Sequence, residues 1–415
     1  MKILIIHQNF PGQFLHLAPA LVEQGHEVHA LVLRKEAPAE WAGVKIHAYT
    51  PARGNAKGIH PWLLDLESKV IRGETVFRKC LELSEGGLKP DVIIAHPGWG
   101  ESLFIKDVWP DTKLGLYCEL NYSETGNDVD FDPEFANDDP GNVCRLRLKN
   151  VNNLLHYENA DAAVSPTQFQ ADTFPEPFRS KISVLHDGID TQRIAPDPEA
   201  TYPVSESLTL TREHEVITFA NRNLEPYRGY HVFMRALPDL LKKRPNAQVV
   251  IVGADGVSYG RAAPDGKTWK SIFAEEAKAK ISDTDWARVH FVGHLPHPQF
   301  TRLMQVSTVH VYLTYPFVLS WSLLEAMSVG CAIVASDTAP VREFIQSNQT
   351  GVLTPFFDQT KLVAQIDLLL ERPNLRKRLG NNAREKIRLY YDLRSACLPR
   401  MLDWVESLSR GRVVH

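Results

Sequence analysis

The chain has 415 residues, 44% of them hydrophobic and 23% charged; at roughly 150 residues per domain this supplies two to three folded cores and excludes a disordered or fibrous protein. Lys and Arg number 46 against 50 Asp and Glu, a net charge of −4, which excludes both the uniformly basic surface of a nucleic-acid binder and a polyacidic tail. Residues 1–200 carry 19 basic and 29 acidic side chains (−10), and residues 201–415 carry 27 and 21 (+6), so an anionic ligand is expected on the second half.

In chain order, apolar β-rich runs alternate with helical periodicity, the pattern of parallel sheets built from βαβ units. The spacing predicts strands at Ile3–Ile6, Glu27–Leu33, Val44–Tyr49, Asp91–Ala95, Lys113–Tyr117, Ala162–Val164 and Ile182–Leu185, with helices over Gln13–Glu23, Pro61–Leu83 and Val143–Glu158. Ile189–Glu215 holds Pro196, Pro198 and Pro203 without apolar periodicity and reads as a linker. The alternation then restarts, with strands at Val216–Phe219, Gln248–Val252, Val289–Val292, Thr308–Leu313 and Ala332–Ala335. Helices are predicted over Gly229–Leu241, Lys270–Ile281 and Ser320–Val329, Pro298–Met304 is a further element of the alternation, and Asn374–Leu408 is expected to be helical throughout.

These elements predict an α/β protein of two doubly wound, Rossmann-like parallel-sheet domains facing a cleft, spanning residues 1–195 and 216–390. The segment 391–415 is expected to be a helix packing back toward the first domain. Sheets of this kind bind ligands outside the carboxyl ends of their strands. Five scattered cysteines without a C-x-x-C pair read as reduced thiols, neither disulfide framework nor zinc site. The run Met1–His7 is too short for a signal-peptide core, and no window approaches about 18 apolar residues, so a cytoplasmic, non-spanning chain is expected.

The first strand leads into His7-Gln8-Asn9-Phe10-Pro11-Gly12-Gln13, where a dinucleotide site would need G-x-G-x-x-G. Only Gly12 is present, which fits either one phosphate contact at a helix N-terminus or a glycine that merely opens a turn. In the second half, the run from Tyr315 to Gly330 places a turn before a helix beginning near Ser320. The N–H groups of Trp321 and Ser322 suit a diphosphate, and Glu325, one turn further in, suits ribose hydroxyls. The same spacing also describes an ordinary capped helix with a surface glutamate.

At Leu324-Glu325-Ala326-Met327-Ser328-Val329-Gly330 the sequence resembles the retaining GT-B glycosyltransferases of group 1, family 4, whose signature is E-G-F-G-L-x-x-L-E-A-M-A-x-G. The resemblance places Glu325 on the ribose. The family's first Glu, eight residues earlier, falls on Phe317, a departure that removes the carboxylate assigned to the donor sugar. Asn221-Arg222-Asn223-Leu224-Glu225-Pro226-Tyr227-Arg228-Gly229 resembles G-R-L-x-x-x-K-G, which implies a diphosphate clamp of Arg222 and Arg228; two solvated surface arginines are the alternative. Gly253, in Val252-Gly253-Ala254-Asp255, and His294 and Leu295, in Phe291-Val292-Gly293-His294-Leu295, resemble segments beside the nucleotide. Phe317, Val318, Leu319 and Ser320 are expected to meet the donor sugar.

The resemblance extends to His186-Asp187-Gly188-Ile189-Asp190, to His96-Pro97-Gly98-Trp99-Gly100-Glu101 and to Phe131-Asp132-Pro133-Glu134-Phe135. In many relatives a His follows the fifth strand and lies against the donor; that position falls on Glu119, and His96, which ends the preceding strand, competes for the role, so the resemblance implies Glu119 and His96 as the catalytic candidates. Asp128-Val129-Asp130-Phe131-Asp132 contains the D-x-D that holds a metal in the other major glycosyltransferase fold, but reads as an acidic loop facing the acceptor, lacking the Gly and Glu of an EF-hand. The resemblance thus implies a UDP-sugar hexosyltransferase with no cofactor and no metal, acting on a glycan or lipid-linked acceptor in polysaccharide synthesis, peripheral at the cytoplasmic membrane face. A non-catalytic sugar-nucleotide binding protein, a nucleotide-sugar epimerase and a sugar phosphorylase on the same fold are the rivals; the last lacks a pyridoxal-phosphate lysine motif.

Overall fold

A computed structural model describes residues 1–137 and 139–411. The chain divides into two compact units. Unit 1 comprises Met1–Glu124, Asn137–Gly188 and Arg394–His415, and unit 2 comprises Thr125–Ala136 and Ile189–Leu393. The last four residues of the segment 391–415 lie outside the described residues.

Unit 1 is built on eight strands: β1 (Lys2–Ile6), β2 (Glu27–Leu33), β3 (Glu40–Trp41), β4 (Val44–Tyr49), β5 (Val92–Ala95), β6 (Lys113–Tyr117), β7 (Ala162–Ser165) and β8 (Ile182–Val184). Their order across the sheet is β3-β4-β2-β1-β5-β6-β7-β8, parallel except for the β3–β4 hairpin. Strands covered on both faces need apolar side chains at successive positions; Ile3, Leu4, Ile5 and Ile6 are each fully buried. The helices Leu64–Glu85 and Asn142–Asn159 flank this sheet. The helix Leu398–Ser409 returns to it, with Trp404 1% exposed and packed among residues of β1, β2 and β5. Gly115 is required at this contact, since a Cβ there would lie 2.5 Å from the Trp404 ring.

Unit 2 has a six-stranded parallel sheet and a hairpin. The hairpin pairs β9 (Tyr202–Ser205) with β10 (Leu208–Leu210). The sheet runs β13-β12-β11-β14-β15-β16, from β11 (Val216–Asn223), β12 (Gln248–Ala254), β13 (Val289–Gly293), β14 (Val309–Tyr312), β15 (Ala332–Ser336) and β16 (Val352–Thr354). Both sheets are thus doubly wound.

Three expectations are corrected. The segment from Ile189 to Glu215 is not a free linker: Ile189, Ile194, Ala200, Tyr202 and Leu210 join the core of unit 2, and a two-stranded ribbon is too short to show periodicity. The tail is not one helix. The helix Pro373–Tyr390 ends where Asp392 bridges to Ile189, and a π-helical turn, Leu393–Cys397, precedes the last helix.

The acidic segment around Asp128 is the third. Thr125–Ala136 packs into unit 2, where Tyr315 Oη donates to Asp132 Oδ2 at 2.7 Å, His231 Nε2 lies 3.0 Å from the same oxygen, and Tyr227 Oη donates to Asp128 Oδ2 at 3.1 Å. Arg235 grips Glu134 through both nitrogens, at 2.6 and 2.8 Å. Phe131 packs among Tyr315, Phe356 and Phe357, and Phe135 against His231 and Trp269. Phenol and imidazole donors, with aromatic cover, make burial of these carboxylates tolerable. No helix among the described residues is long and apolar enough to cross a membrane.

Candidate functional site

At the carboxyl ends of β11, β12 and β13 lies a cleft of about 390 Å³ lined by Ala220, Asn221, Arg222, Val252, His294, Leu295, Pro296, His297, Phe300, Ser320, Trp321, Ser322 and Glu325. Strand β11 delivers Asn221 and Arg222 to one side. The turn after β13 brings His294 and Leu295. The helix Trp321–Ser328 points its first turn at the same space, with Ser320 as its N-cap: Ser320 Oγ accepts from Ser322 N at 3.3 Å. Ser320 N–H donates to Tyr312 Oη at 2.9 Å, which fixes the turn.

Glu325 is the cleft's carboxylate, and Oε1 is bonded to His297 Nε2 at 2.7 Å. That hydrogen bond raises the His297 imidazole above its ordinary 6.5 against the opposing effect of burial. Sequence reasoning singled out His294 and missed His297, three residues on at the start of the helix His297–Val306; a second imidazole one helical turn from the strand end was the available signal.

Several predicted site residues do not line this cleft. Arg228 is 5% exposed, and its Nη1 donates to Thr314 Oγ1 at 2.8 Å and to Val318 O at 3.0 Å, so it braces the turn ahead of Ser320. Gly253 is demanded by packing, since a Cβ would fall 2.7 Å from Leu224 Cδ2. Phe317 is 6% exposed, edge-on to Tyr227 at 5.6 Å, 4.9 Å from the Tyr259 ring and beneath the Arg228 guanidinium. It is a core residue of this turn. Leu319 is likewise buried; of the four residues expected at the sugar, Ser320 alone borders the cleft. Phe317→Ala is therefore expected to cost unit 2 about 3 kcal/mol of stability, read by chemical denaturation; an unchanged midpoint would return Phe317 to the sugar.

Gly12 takes the turn-opening role that its spacing allowed. It opens a 3₁₀ turn, Gly12–Phe14, and the α-helix begins only at Leu17. Its φ of +47° is left-handed, and a Cβ would stand 2.3 Å from His7 Cε1, so glycine is required by the ring behind it. The turn instead carries Gln13, whose Nε2 donates to Glu119 Oε1 at 2.6 Å, while His96 Nε2 lies 3.4 Å from Glu119 Oε2. Glu119 and His96, predicted as alternatives, are thus neighbours in unit 1. Burial would raise the Glu119 carboxyl, but His96, the Gln13 bond and His7 outweigh it and hold the group below the usual carboxylate range. Among the described residues, Asp132, Glu134 and His231 offer atoms within 4.8 Å of one another, the spacing of a cation site. Those atoms are engaged with Tyr315, Arg235 and each other.

Two family profiles match the chain: residues 24–194 match the glycosyl transferase family 4 group, and residues 205–386 match glycosyl transferases group 1. It is 21% identical over 314 residues to D-inositol 3-phosphate glycosyltransferase of Corynebacterium efficiens, covering 73% of this chain and 68% of that one. It is 24% identical over 243 residues to the GDP-mannose-dependent alpha-(1-6)-phosphatidylinositol monomannoside mannosyltransferase of Mycolicibacterium smegmatis, covering 57% and 59%. Anabaena Alr3699/HepE, solved with UDP and glucose, superposes with a TM-score of 0.67 at 16% identity over 98% of this chain and 100% of that chain. Sucrose-phosphate synthase of Thermosynechococcus elongatus gives 0.72 at 15% identity over 99% and 100%. These likenesses establish the fold as GT-B.

Proposed function

The chain belongs to the group 1, family 4 glycosyltransferases, and from that premise we propose that it moves glucose from UDP-glucose to a hydroxyl acceptor with retention of anomeric configuration, in polysaccharide or glycan synthesis. The observation that carries this reading is the cleft of unit 2, where the Glu325 carboxylate and the Arg222 guanidinium share one space with the first turn of the helix Trp321–Ser328. A nucleoside diphosphate matches that set: Glu325 accepts from ribose hydroxyls, Arg222 and the helix N–H groups meet the diphosphate, and His294 and Leu295 flank the base. Glu119 and His96 act on the sugar, the anion supporting positive character at the anomeric carbon. The leaving diphosphate is stabilised by Arg222 and the helix terminus, without a metal.

Arg222 is the one guanidinium lining the cleft among the described residues, so UDP should bind far better than uridine. Arg222→Ala should remove roughly tenfold of that advantage, read by calorimetry with both ligands. Equal loss for UDP and uridine would show that Arg222 does not meet phosphate.

A second reading, GDP-mannose as donor, is favoured by the mannosyltransferase of Mycolicibacterium smegmatis. Both are tested by following UDP-glucose, UDP-galactose, UDP-N-acetylglucosamine and GDP-mannose by proton NMR, with and without EDTA. Fastest loss of UDP-glucose to an α-configured product, insensitive to EDTA, is expected. Preference for GDP-mannose would overturn the donor, a β product would overturn retention, and appearance of UDP-galactose from UDP-glucose would favour an epimerase. UDP binding without turnover of any donor would favour a binding protein.

A further inference from the structure

At the carboxyl ends of β1 and β6, His7 and Gln13 form a directed chain of hydrogen-bond donors that ends on Glu119, and His96, after β5, stands beside the same carboxylate. His7 Nδ1 accepts from Asn9 N at 3.1 Å. A backbone N–H only donates, so the neutral ring carries its proton on Nε2 and gives it to Gln13 Oε1 at 2.7 Å. That contact fixes which way the amide faces. Its nitrogen end donates to Glu119 Oε1 at 2.6 Å. On the other side, His96 Nδ1 accepts from Gly98 N at 3.2 Å, which leaves the His96 proton on Nε2, 3.4 Å from Glu119 Oε2. Both imidazole tautomers and the amide orientation are therefore set by two backbone N–H groups.

The chain is held rigidly. His7 and His96 are 2% and 3% exposed, His96 stacks on Trp99 at 4.2 Å, and His7 meets Trp99 edge-on at 5.0 Å. The Glu119 side chain is one third exposed and, like that of Gln13, reaches solvent. Its backbone oxygen accepts from Gln170 Nε2 at 2.9 Å, which anchors the residue itself. Tyr117, a further titratable neighbour, gives its hydroxyl to the Asp187 carboxylate instead. Gln13 thus donates to Glu119 Oε1 while the His96 imidazole stands 3.4 Å from Oε2, and both neighbours favour the ionised carboxylate.

We propose that Gln13 is a positioning residue, oriented by His7, that presents Glu119 as a carboxylate with Oε2 turned to His96 and solvent. The proposal rests on the reading that Glu119 acts on the donor sugar. Burial, with His96 beside it, lowers the His7 imidazole to about 4, so near neutrality the ring stays a neutral donor with the tautomer described. A protonated Glu119 would accept the Gln13 bond more weakly and lose its electrostatic effect on the sugar.

Two variants test this: Gln13→Glu, which keeps the size of the side chain and places a second carboxylate against Glu119, and Gln13→Ala, which removes the donor. Carbon-13 NMR of glutamate-labelled protein, assigned with Glu119→Gln, reads the Glu119 titration directly. In both variants it should rise by roughly one pH unit or more, and the acid limb of the kcat profile for UDP-glucose hydrolysis should move with it. At neutral pH kcat should fall roughly 10- to 100-fold with UDP affinity unchanged. A Glu119 titration unmoved in folded Gln13→Glu overturns the positioning role. A titration that moves while kcat does not upholds the positioning and overturns the reading of Glu119 as a group acting on the sugar.

Discussion

Glu119→Ala is expected to lower turnover roughly 100-fold or more while leaving UDP affinity within about a factor of two, the mark of a group that acts on the reacting centre rather than on the nucleotide. Glu119 is in unit 1, bonded to Gln13 and beside His96, whereas the proposed nucleotide contacts are all in the cleft of unit 2. Glu119→Gln keeps the shape and removes the charge, so it separates an electrostatic role from packing: if the anion matters, it should be nearly as damaging as Ala. His96→Ala should also reduce kcat, since it removes the imidazole facing Oε2. Turnover of Glu119→Gln equal to that of the parent chain would remove Glu119 from the chemistry.

The second large effect is on stability in acid, and it should fall on unit 1 first. Burial lowers the His7, His47, His156 and His186 imidazoles of unit 1 from 6.5 to about 4, with His96 adding to the effect at His7 and His29 to that at His47. In unit 2, burial does the same to His310. Between those values the unfolded chain binds protons that the folded chain refuses, so stability is lost as pH falls from 6.5 toward 4. Each ring should contribute roughly 1–3 kcal/mol of that loss, four in unit 1 against one in unit 2. His297 works in the opposite sense, because its raised value means protonation favours the folded state below 6.5, in unit 2. Hydrogen exchange followed by mass spectrometry at pH 7 and pH 5 should show β1, β5 and β6 losing protection well before β11, β12 and β14. Equal loss in both units would contradict this.

The doubly wound sheets were legible because strands covered on both faces leave unbroken apolar runs such as Leu4-Ile5-Ile6 and Val249-Val250-Ile251. That Arg222, His294 and Glu325 share one cleft was legible for a related reason: they stand at the carboxyl ends of β11 and β13 and within the first turns of a helix, where the fold gathers them. What was not legible depends on partners distant in sequence. Asp132 looks like one more acid in a solvated loop, yet it is 4% exposed because Tyr315 and His231 receive it. Arg228 has the spacing of a phosphate ligand, but the hydroxyl of Thr314 and the carbonyl of Val318 engage it inside the protein. The hairpin Tyr202–Leu210 has too few residues per strand for periodicity to register. Gln13 gave no signal, since an amide between two elements has meaning only once His7 and Glu119 flank it.

Calorimetric titration of UDP into the parent chain and into Glu325→Ala tests the nucleotide site most directly. The carboxylate that now meets His297 Nε2 at 2.7 Å is assigned to the ribose hydroxyls, and its loss should weaken UDP binding by about 1–3 kcal/mol, roughly 5- to 150-fold. UDP binding of the same strength in a folded Glu325→Ala variant would contradict the placement of the nucleotide in the unit 2 cleft.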